Sequence, residues 1–262
     1  MYGKGTPLLC EEHPPTFLQN YSSRAQLMGK INLVGLEIEG GWDGQKGVRP
    51  FDIPIIADHS IDGRTVLSDN PLSCPHVGEI VSKPLEPSEA VIEAFLDKYW
   101  PQYTNNTCGY HIHLSTKGMK DYSTLATKTF LYSLVKGLQE KAVALALPYN
   151  HYLFKRLRGD NPFTVMNFDA SNQIRLKQKS VGSNLRYSIL NCSWNLHGTI
   201  ELRVLPTFDK VSLAKEFTFF YLDFVEKALL SPMDLSKPYS AVLREQSGQV
   251  SYSLHTPSLG AN

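Results

Sequence analysis

The chain has 262 residues, 42% of them hydrophobic, and a formal net charge of +1 at pH 7. This length and composition fit one large domain or two small ones. The near-neutral charge argues against recognition of nucleic acid through overall charge, and no apolar run approaches the roughly 18 residues of a membrane span.

The N-terminal region predicts an irregular arm followed by an interior strand. Residues 1–30 contain many prolines and glycines and lack the apolar core of a signal peptide. Residues 31–40 (INLVGLEIEG) predict a buried strand that is closed by a Gly-Gly pair. Residues 42–76 are rich in Gly, Pro and Asp and predict a loop with a short strand over 53–57.

The middle of the chain predicts two strands, each followed by a helix. Residues 78–85 (GEIVSKPL) predict the first strand, and the apolar spacing between Pro87 and Pro101 predicts a helix. Residues 108–115 (CGYHIHLS) predict the second strand. Residues 121–147 have apolar residues at helical spacing and predict one long helix.

The last part of the chain predicts a polar segment, two strands and a helix. Residues 149–183 are polar and basic with weak periodicity, and residues 185–192 and 198–205 predict two strands joined by a turn. A helix is predicted from Ser212 to Leu230. Several strands with only three predicted helices indicate an α+β fold with a mostly antiparallel sheet.

The cysteines are scattered along the chain and form no CxxC pair; they are Cys10, Cys74, Cys108 and Cys192. This arrangement favours reduced thiols in a cytosolic protein. The chain also contains neither a GxxxxGK[ST] loop nor a GxGxxG fingerprint, so any phosphate binding must rest on other groups.

Three predicted strand segments share a pattern in which two charged or metal-binding side chains flank one apolar residue. They are Glu37-Ile38-Glu39, His111-Ile112-His113 and Glu201-Leu202-Arg203. Because residues two apart on a strand point to the same face, each segment would present two reactive groups on one face. Together they predict a wall of carboxylates, imidazoles and a guanidinium that requires a cation, a phosphate or both.

Glu37 and Glu39 predict a site for a hard divalent cation. Two carboxylates on one face of an interior strand repel each other, and their burial without a cation is costly. Mg²⁺ binds carboxylate oxygens and removes that cost. Glu79, in the next strand, is a further candidate ligand. The alternative for Glu37 and Glu39 is a solvent-facing pair on a half-exposed strand.

His111 and His113 predict ligands for a metal or contacts to a phosphate-bearing molecule. A structural role for both imidazoles is the alternative. Cys108 precedes them, so a Cys-x-x-His-x-His zinc cluster is also considered, although this spacing is not typical of structural zinc sites.

Glu201 and Arg203 place opposite charges on one strand face. They predict a carboxylate ligand beside a guanidinium that binds a phosphoryl oxygen. The alternative is an ion pair within the strand that has no ligand.

Basic residues are concentrated in the polar segment, at Lys155, Arg156, Arg158, Arg175, Lys177 and Lys179. Such a run is typical of a solvated face. It is also typical of a mobile flap that covers polyanionic phosphates, and the pattern alone does not separate the two interpretations.

The motifs occur in an informative order. Glu-x-Glu (Glu37, Glu39) comes first, followed by Glu79 ahead of Ser82-Lys83-Pro84-Leu85, then Cys108-Gly-Tyr-His-x-His113, Arg186-Tyr187 with Asn191, and Thr199-Ile-Glu-Leu-Arg203. Over about Leu33 to Leu205 the chain resembles the amidoligase family, within the carboxylate–amine ligase superfamily of glutamine synthetase and glutamate–cysteine ligase. Asp58-His59-Ser60 resembles the Asp-Gly-Ser strand of that family, with histidine in place of glycine.

The resemblance implies a curved, mostly antiparallel sheet with helices packed on one face, as in the glutamine synthetase catalytic domain. With the following helix included, it implies a catalytic domain over residues 31–231. The composition of the flanking segments indicates an N-terminal arm over residues 1–30 and, from its Ser, Pro and Gly content, a C-terminal tail over residues 232–262. The implied reaction uses ATP to phosphorylate a carboxylate, after which an amine attacks the acyl phosphate and yields an amide.

The resemblance also implies roles for individual residues. Mg²⁺ ions that bridge the ATP phosphates are expected on Glu37, Glu39, Glu79, His111 and Glu201. His113 is expected to contact the cofactor or to support a ligand. Arg203 would stabilise the γ-phosphoryl group, and Arg186 would bind phosphate or the substrate carboxylate. Arg203, Arg186 and His111 are thus the expected catalytic residues, and His113, Arg203 and Arg186 the expected ATP-binding residues.

Two other functional classes remain open at this point. A metal-dependent hydrolase would use the His-x-His strand and prefer zinc, and a non-catalytic binding or virion-associated protein would keep only the fold. The expected partners are small-molecule or peptide carboxylates and amines, with neither nucleic acid nor membrane, and the termini are candidate assembly contacts. A cytoplasmic location is expected, in a bacterium or, for a phage protein, in the host cytoplasm or the virion.

Overall fold

The structure is a computed structural model, which describes residues 29–45, 51–58, 60–61, 72–159, 164 and 187–230. The predicted arm, except for its last two residues, and the predicted tail lie outside the described residues. So does most of the polar segment 149–183.

Five strands and six helices make up the described part of the chain. In order they are β1 (Ile31–Trp42), β2 (His76–Val81), α1 (Glu89–Tyr99), β3 (Gly109–Thr116), α2 (Met119–Leu125), α3 (Lys128–Ala144), α4 (Tyr152–Arg158), β4 (Leu190–Cys192), α5 (Trp194–His197), β5 (Ile200–Pro206) and α6 (Val211–Leu230).

The strands form one sheet in the order β2-β1-β3-β5-β4, and every pair is antiparallel. The predicted α+β fold with an antiparallel sheet is therefore confirmed. The central strand β3 is flanked by β1 and β5, which places the Glu-x-Glu, His-x-His and Glu-x-Arg segments side by side.

One face of the sheet is apolar and packs into the hydrophobic core. Val34, Leu36 and Ile38 of β1 are fully buried and join one cluster with Ile112 of β3 and Leu202 of β5. The buried sides of α1, α3 and α6 belong to the same cluster. Burial of each such side chain contributes about 1.5–3 kcal/mol, so the alternation along the strands fixes which face turns away from the core.

The prediction of one continuous helix over 121–147 is wrong, because the structure has two helices there, α2 and α3. Thr127 lies between the two helices with extended backbone angles, and its side chain accepts a hydrogen bond from the backbone N–H of Phe130 at 3.1 Å. A threonine in this role satisfies an otherwise unpaired N–H at a helix start. The apolar spacing continues through this cap, which conceals the break.

Other differences concern short elements. The predicted strand over 53–57 is reduced to a single bridge between Ile56 and Glu79. The turn between the last two strands contains the short helix α5, which ends at Gly198 in the left-handed conformation (φ 67°). Glycine adopts that conformation without steric cost.

Candidate functional site

The face of the sheet opposite the core is polar, and every strand contributes to it. The strand register places Glu39 opposite Glu79 and Glu37 opposite His111. It also places Glu201 opposite both His113 and Asn191. Residues that are far apart in sequence therefore become lateral neighbours on one surface.

Glu37 lies between the two histidines. Its Oε2 accepts a hydrogen bond from Nδ1 of His111 at 3.0 Å, and its Oε1 lies 2.9 Å from Nε2 of His113. Burial alone would raise the pKa of Glu37, but the hydrogen bonds and charges of His111 and His113 outweigh burial and lower it strongly. Glu37 is thus held as a carboxylate, which is the form that binds a cation.

Glu39 points in the same direction one pleat further along β1 and is almost completely buried. Its Oε2 accepts a 2.5 Å hydrogen bond from the backbone N–H of Gly109, and its Oε1 lies 3.8 Å from Nε2 of His111. His111 is itself buried and lies between the two carboxylates of β1, with Nδ1 toward Glu37 and Nε2 toward Glu39.

Glu79 has the clearest sign of uncompensated negative charge. Burial, followed by the charges of Glu37, Glu39 and Asp58, raises its pKa to about 7. Carboxylates crowded in this way resist ionisation. A divalent cation would reverse the effect by favouring the ionised form.

Glu201 is fully buried and is held from two sides. Nη1 of Arg203 donates to its Oε1 at 2.8 Å, and Nδ2 of Asn191 donates to its Oε2 at 3.1 Å. Burial would lower the pKa of Arg203, but the adjacent Glu201 carboxylate outweighs it and raises the pKa. Arg203 therefore stays charged next to the carboxylates.

Among the described residues, two groups of side chains have the geometry to hold a metal ion. Glu37, His113 and Glu201 each place a ligand atom within 4.8 Å of the others, and so do Glu39, Asp58 and Glu79. We call them the mixed group and the carboxylate group. They are neighbours, because Glu37 and Glu39 are two residues apart on β1.

The predicted site residues divide accordingly. Glu37, Glu39, Glu79 and Glu201 are brought together, with Arg203 beside Glu201. His113 belongs to the mixed group, whereas His111 lies between the groups and joins neither. The prediction of His111 as a metal ligand stays a prediction. Arg186 lies outside the described residues.

Asp58 is a candidate ligand that the strand patterns do not indicate. It lies in the loop before β2, at a segment joined to β2 by the bridge between Ile56 and Glu79. Its carboxylate also accepts hydrogen bonds from the backbone N–H and the hydroxyl of Ser60, both at 2.7 Å. The Asp58-His59-Ser60 pattern can be recognised in the sequence, but the position of Asp58 beside Glu79 depends on tertiary contacts.

A zinc cluster of Cys108 with the two histidines is not formed among the described residues. Cys108 is completely buried, and burial raises the pKa of its thiol to about 12. Cys108 joins neither candidate group of metal ligands among the described residues. Cys74, Cys108 and Cys192 are free thiols.

The basic run is more varied than either interpretation predicted. Lys155 and Arg158 are exposed on α4, but Arg156 is 1% exposed, so the solvated-face and flap interpretations are both wrong for this residue. The basic positions Arg175, Lys177 and Lys179 lie outside the described residues.

A comparison of the sequence with protein-family models and with curated proteins finds no match. Among the described helices, none has the length and apolar character that a membrane crossing requires.

Proposed function

We propose that the protein is an ATP- and Mg²⁺-dependent carboxylate–amine ligase that forms an amide bond through an acyl phosphate. The observation that carries the proposal is the pair of adjacent ligand groups, mixed and carboxylate, on one sheet face next to the charged Arg203. We also propose that the sheet of this protein is curved as in the glutamine synthetase catalytic domain.

The residues present fit divalent cations. The carboxylate group offers oxygen ligands only, which Mg²⁺ prefers, and the mixed group adds one imidazole. Burial first, and then the charges of Glu37, Glu39 and Asp58, raise the pKa of Glu79, and a bound cation would favour its ionised form. When bound, Mg²⁺ would offset the charge of the ATP phosphates and of the phosphoryl group in transfer.

The other residues bind and orient. Arg203 presents a permanently charged guanidinium next to Glu201 and would stabilise the γ-phosphoryl group. His111 holds Glu37 through Nδ1, and Thr199 lies 3.2 Å from Nδ1 of His113. The first contact fixes the carboxylate of Glu37, and the second fixes the ring orientation of His113, so that both are held ready as ligands. Small-molecule or peptide carboxylates and amines are the proposed substrates, in the cytoplasm.

The binding test is calorimetric titration of ATP in the presence of Mg²⁺, with wild type compared with Glu201→Gln. This substitution removes one carboxylate shared by the mixed group and Arg203 while keeping its size. We expect ATP binding that requires Mg²⁺ in wild type and is lost in the variant. Glu140→Gln is the matched control, because Glu140 is an exposed residue of α3 that forms an ion pair with Lys136, away from the site.

The activity test is a screen of amino acids, peptides and polyamines for ADP release that depends on both an acid and an amine. Equal ATP binding by wild type and Glu201→Gln would reject the assigned site. One equivalent of tightly bound zinc, with no nucleotide binding, would instead favour a hydrolase. If the protein is part of a particle or oligomer and consumes no ATP with any acid and amine tested, a non-catalytic role would be favoured.

A further inference from the structure

Arg156 occupies an unusual position for a positively charged side chain. It projects from α4 and is 1% exposed, and it donates hydrogen bonds to three backbone carbonyls, two directly before β3 and one near the end of β5. The acceptors are Leu205 O (3.2 Å), Thr107 O (3.4 Å) and Cys108 O (3.1 Å). A buried guanidinium is costly unless its N–H groups are satisfied in this way.

One of these carbonyls belongs to a peptide group that also contacts the site. The carbonyl of Cys108 accepts from Arg156, and the N–H of the same peptide, on Gly109, donates to Oε2 of Glu39. The two groups of a trans peptide point in opposite directions. Arg156 and Glu39 therefore lie on opposite sides of one peptide, with a cation at its oxygen and a carboxylate at its N–H.

The electrostatics of Arg156 agree with this geometry. Burial lowers the pKa of its guanidinium, and the largest effect that opposes burial is the negative charge of Glu39. Hydrogen bonds in series polarise one another, so a cation at the carbonyl strengthens the N–H as a donor.

The space around Gly109 leaves no room for a side chain between its backbone and the side chains of Glu39 and His111. A Cβ atom at this position would lie 2.6 Å from Nε2 of His111 and 3.1 Å from Oε2 of Glu39. Glycine lets the backbone N–H approach the carboxylate directly, without displacing either side chain.

We propose that Arg156 is a positioning residue for Glu39, and that it acts through the peptide group between Cys108 and Gly109. It holds that peptide so that its N–H fixes Oε2 of Glu39, and this keeps the Glu39 carboxylate in place beside Asp58 and Glu79. The consequence for metal binding rests on the proposed function, whereas the coupling of Arg156 to Glu39 does not.

The first test uses the metal-free protein, so its result is independent of the proposed function. Unfolding in urea is measured for wild type, Arg156→Lys, Glu39→Gln and the double variant. We expect the two effects to be non-additive by at least about fivefold in the unfolding equilibrium constant, as for residues of one network. Additive effects would overturn the proposal. Arg158→Lys, an exposed position of α4, is expected to be additive with Glu39→Gln.

A second measurement keeps Arg156 unchanged, so it remains informative even if Arg156→Lys does not fold. The guanidinium signals of Arg156, which burial and hydrogen bonding should make slow to exchange, are followed by ¹⁵N nuclear magnetic resonance. Glu39→Gln is expected to shift them and to speed their exchange, and Glu140→Gln is expected to leave them unchanged. Unchanged signals in Glu39→Gln would overturn the proposal.

The third test separates positioning from general stability. In a Glu201→Gln background, which disables the mixed group, Mn²⁺ binding reports on the carboxylate group. Arg156→Lys is expected to weaken it about 10- to 100-fold, as loss of a supporting contact does. In a Glu79→Gln background, Mn²⁺ binding to the mixed group is expected to be unaffected by Arg156→Lys. Equal weakening of both groups would show a purely structural role, and no Mn²⁺ binding by wild type would count against the proposed function alone.

Discussion

Glu37 and His111 face each other across the β1–β3 ladder, with the carboxylate oxygen of Glu37 3.0 Å from Nδ1 of His111. The second oxygen of Glu37 lies 2.9 Å from Nε2 of His113. Both oxygens are thus engaged by imidazoles from one strand, and the Glu-x-Glu and His-x-His motifs form a single unit.

Loss of the Glu37 carboxylate should reduce metal affinity more than loss of a supporting contact does. Glu37→Gln keeps the size of the side chain but removes the charge that His111 and His113 stabilise. We expect Mn²⁺ affinity at the mixed group to fall by more than the roughly 10- to 100-fold typical of supporting residues. Calorimetry or electron paramagnetic resonance measures this. Unaltered affinity would remove Glu37 from the site.

The pH dependence of the carboxylate group should follow Glu79. Its pKa is raised to about 7, so the folded, metal-free protein carries a proton there that the unfolded chain loses near its ordinary pKa of 4.5. A divalent cation must displace this proton. Between these two pH values, we expect Mn²⁺ affinity to rise about tenfold per pH unit and to level off above 7. Glu79→Gln, which cannot titrate, should abolish the slope while weakening the binding.

The same titration affects stability with a defined sign. Between pH 4.5 and about 7, Glu79 is protonated in the folded state but ionised in the unfolded state. The contribution of Glu79 to stability is therefore present below its unfolded pKa and is lost as pH rises through its folded pKa. Urea unfolding of the metal-free protein should therefore show Glu79→Gln gaining stability relative to wild type as pH rises. A stability difference that is constant with pH would contradict the assignment.

Glu226 should stabilise the start of β1. This buried residue of α6 accepts hydrogen bonds from the backbone N–H of Lys30 (2.8 Å) and of Ile31 (3.2 Å). Hydrogen bonds to charged groups contribute about 1.5–3 kcal/mol each, so Glu226→Gln should lower the free energy of unfolding by about 2 kcal/mol. Urea denaturation measures the loss, and the exposed Glu140→Gln on α3 should change stability little.

Thr127 should be needed for the start of α3. Thr127→Ala removes the oxygen that accepts from the N–H of Phe130, and loss of such a cap costs about 1 kcal/mol. Thr127→Ser keeps the oxygen and should retain most of the stability. Thermal unfolding of the two variants provides the comparison, and equal losses would show that packing of the threonine methyl group matters more than the hydrogen bond.

Much of the site could be predicted because its signal is local. A period of two places Glu37 with Glu39, His111 with His113 and Glu201 with Arg203 on common strand faces, and the apolar residues between them are buried on the other face. The α+β class and the main strands followed from the same alternation. The division of α2 from α3 was missed, because a cap acts through one hydrogen bond that leaves the apolar spacing unchanged.

The sequence by itself determined which side chains share a face within each strand, since this depends only on the geometry of an extended chain. Only the tertiary structure decided which strands are neighbours and in what register, and hence that Glu39 meets Glu79 and His113 meets Glu201. It also decided that Asp58 joins the carboxylate group and that Arg156 is buried behind Gly109. Strand order and loop placement result from packing of the whole core, which no short stretch of residues encodes.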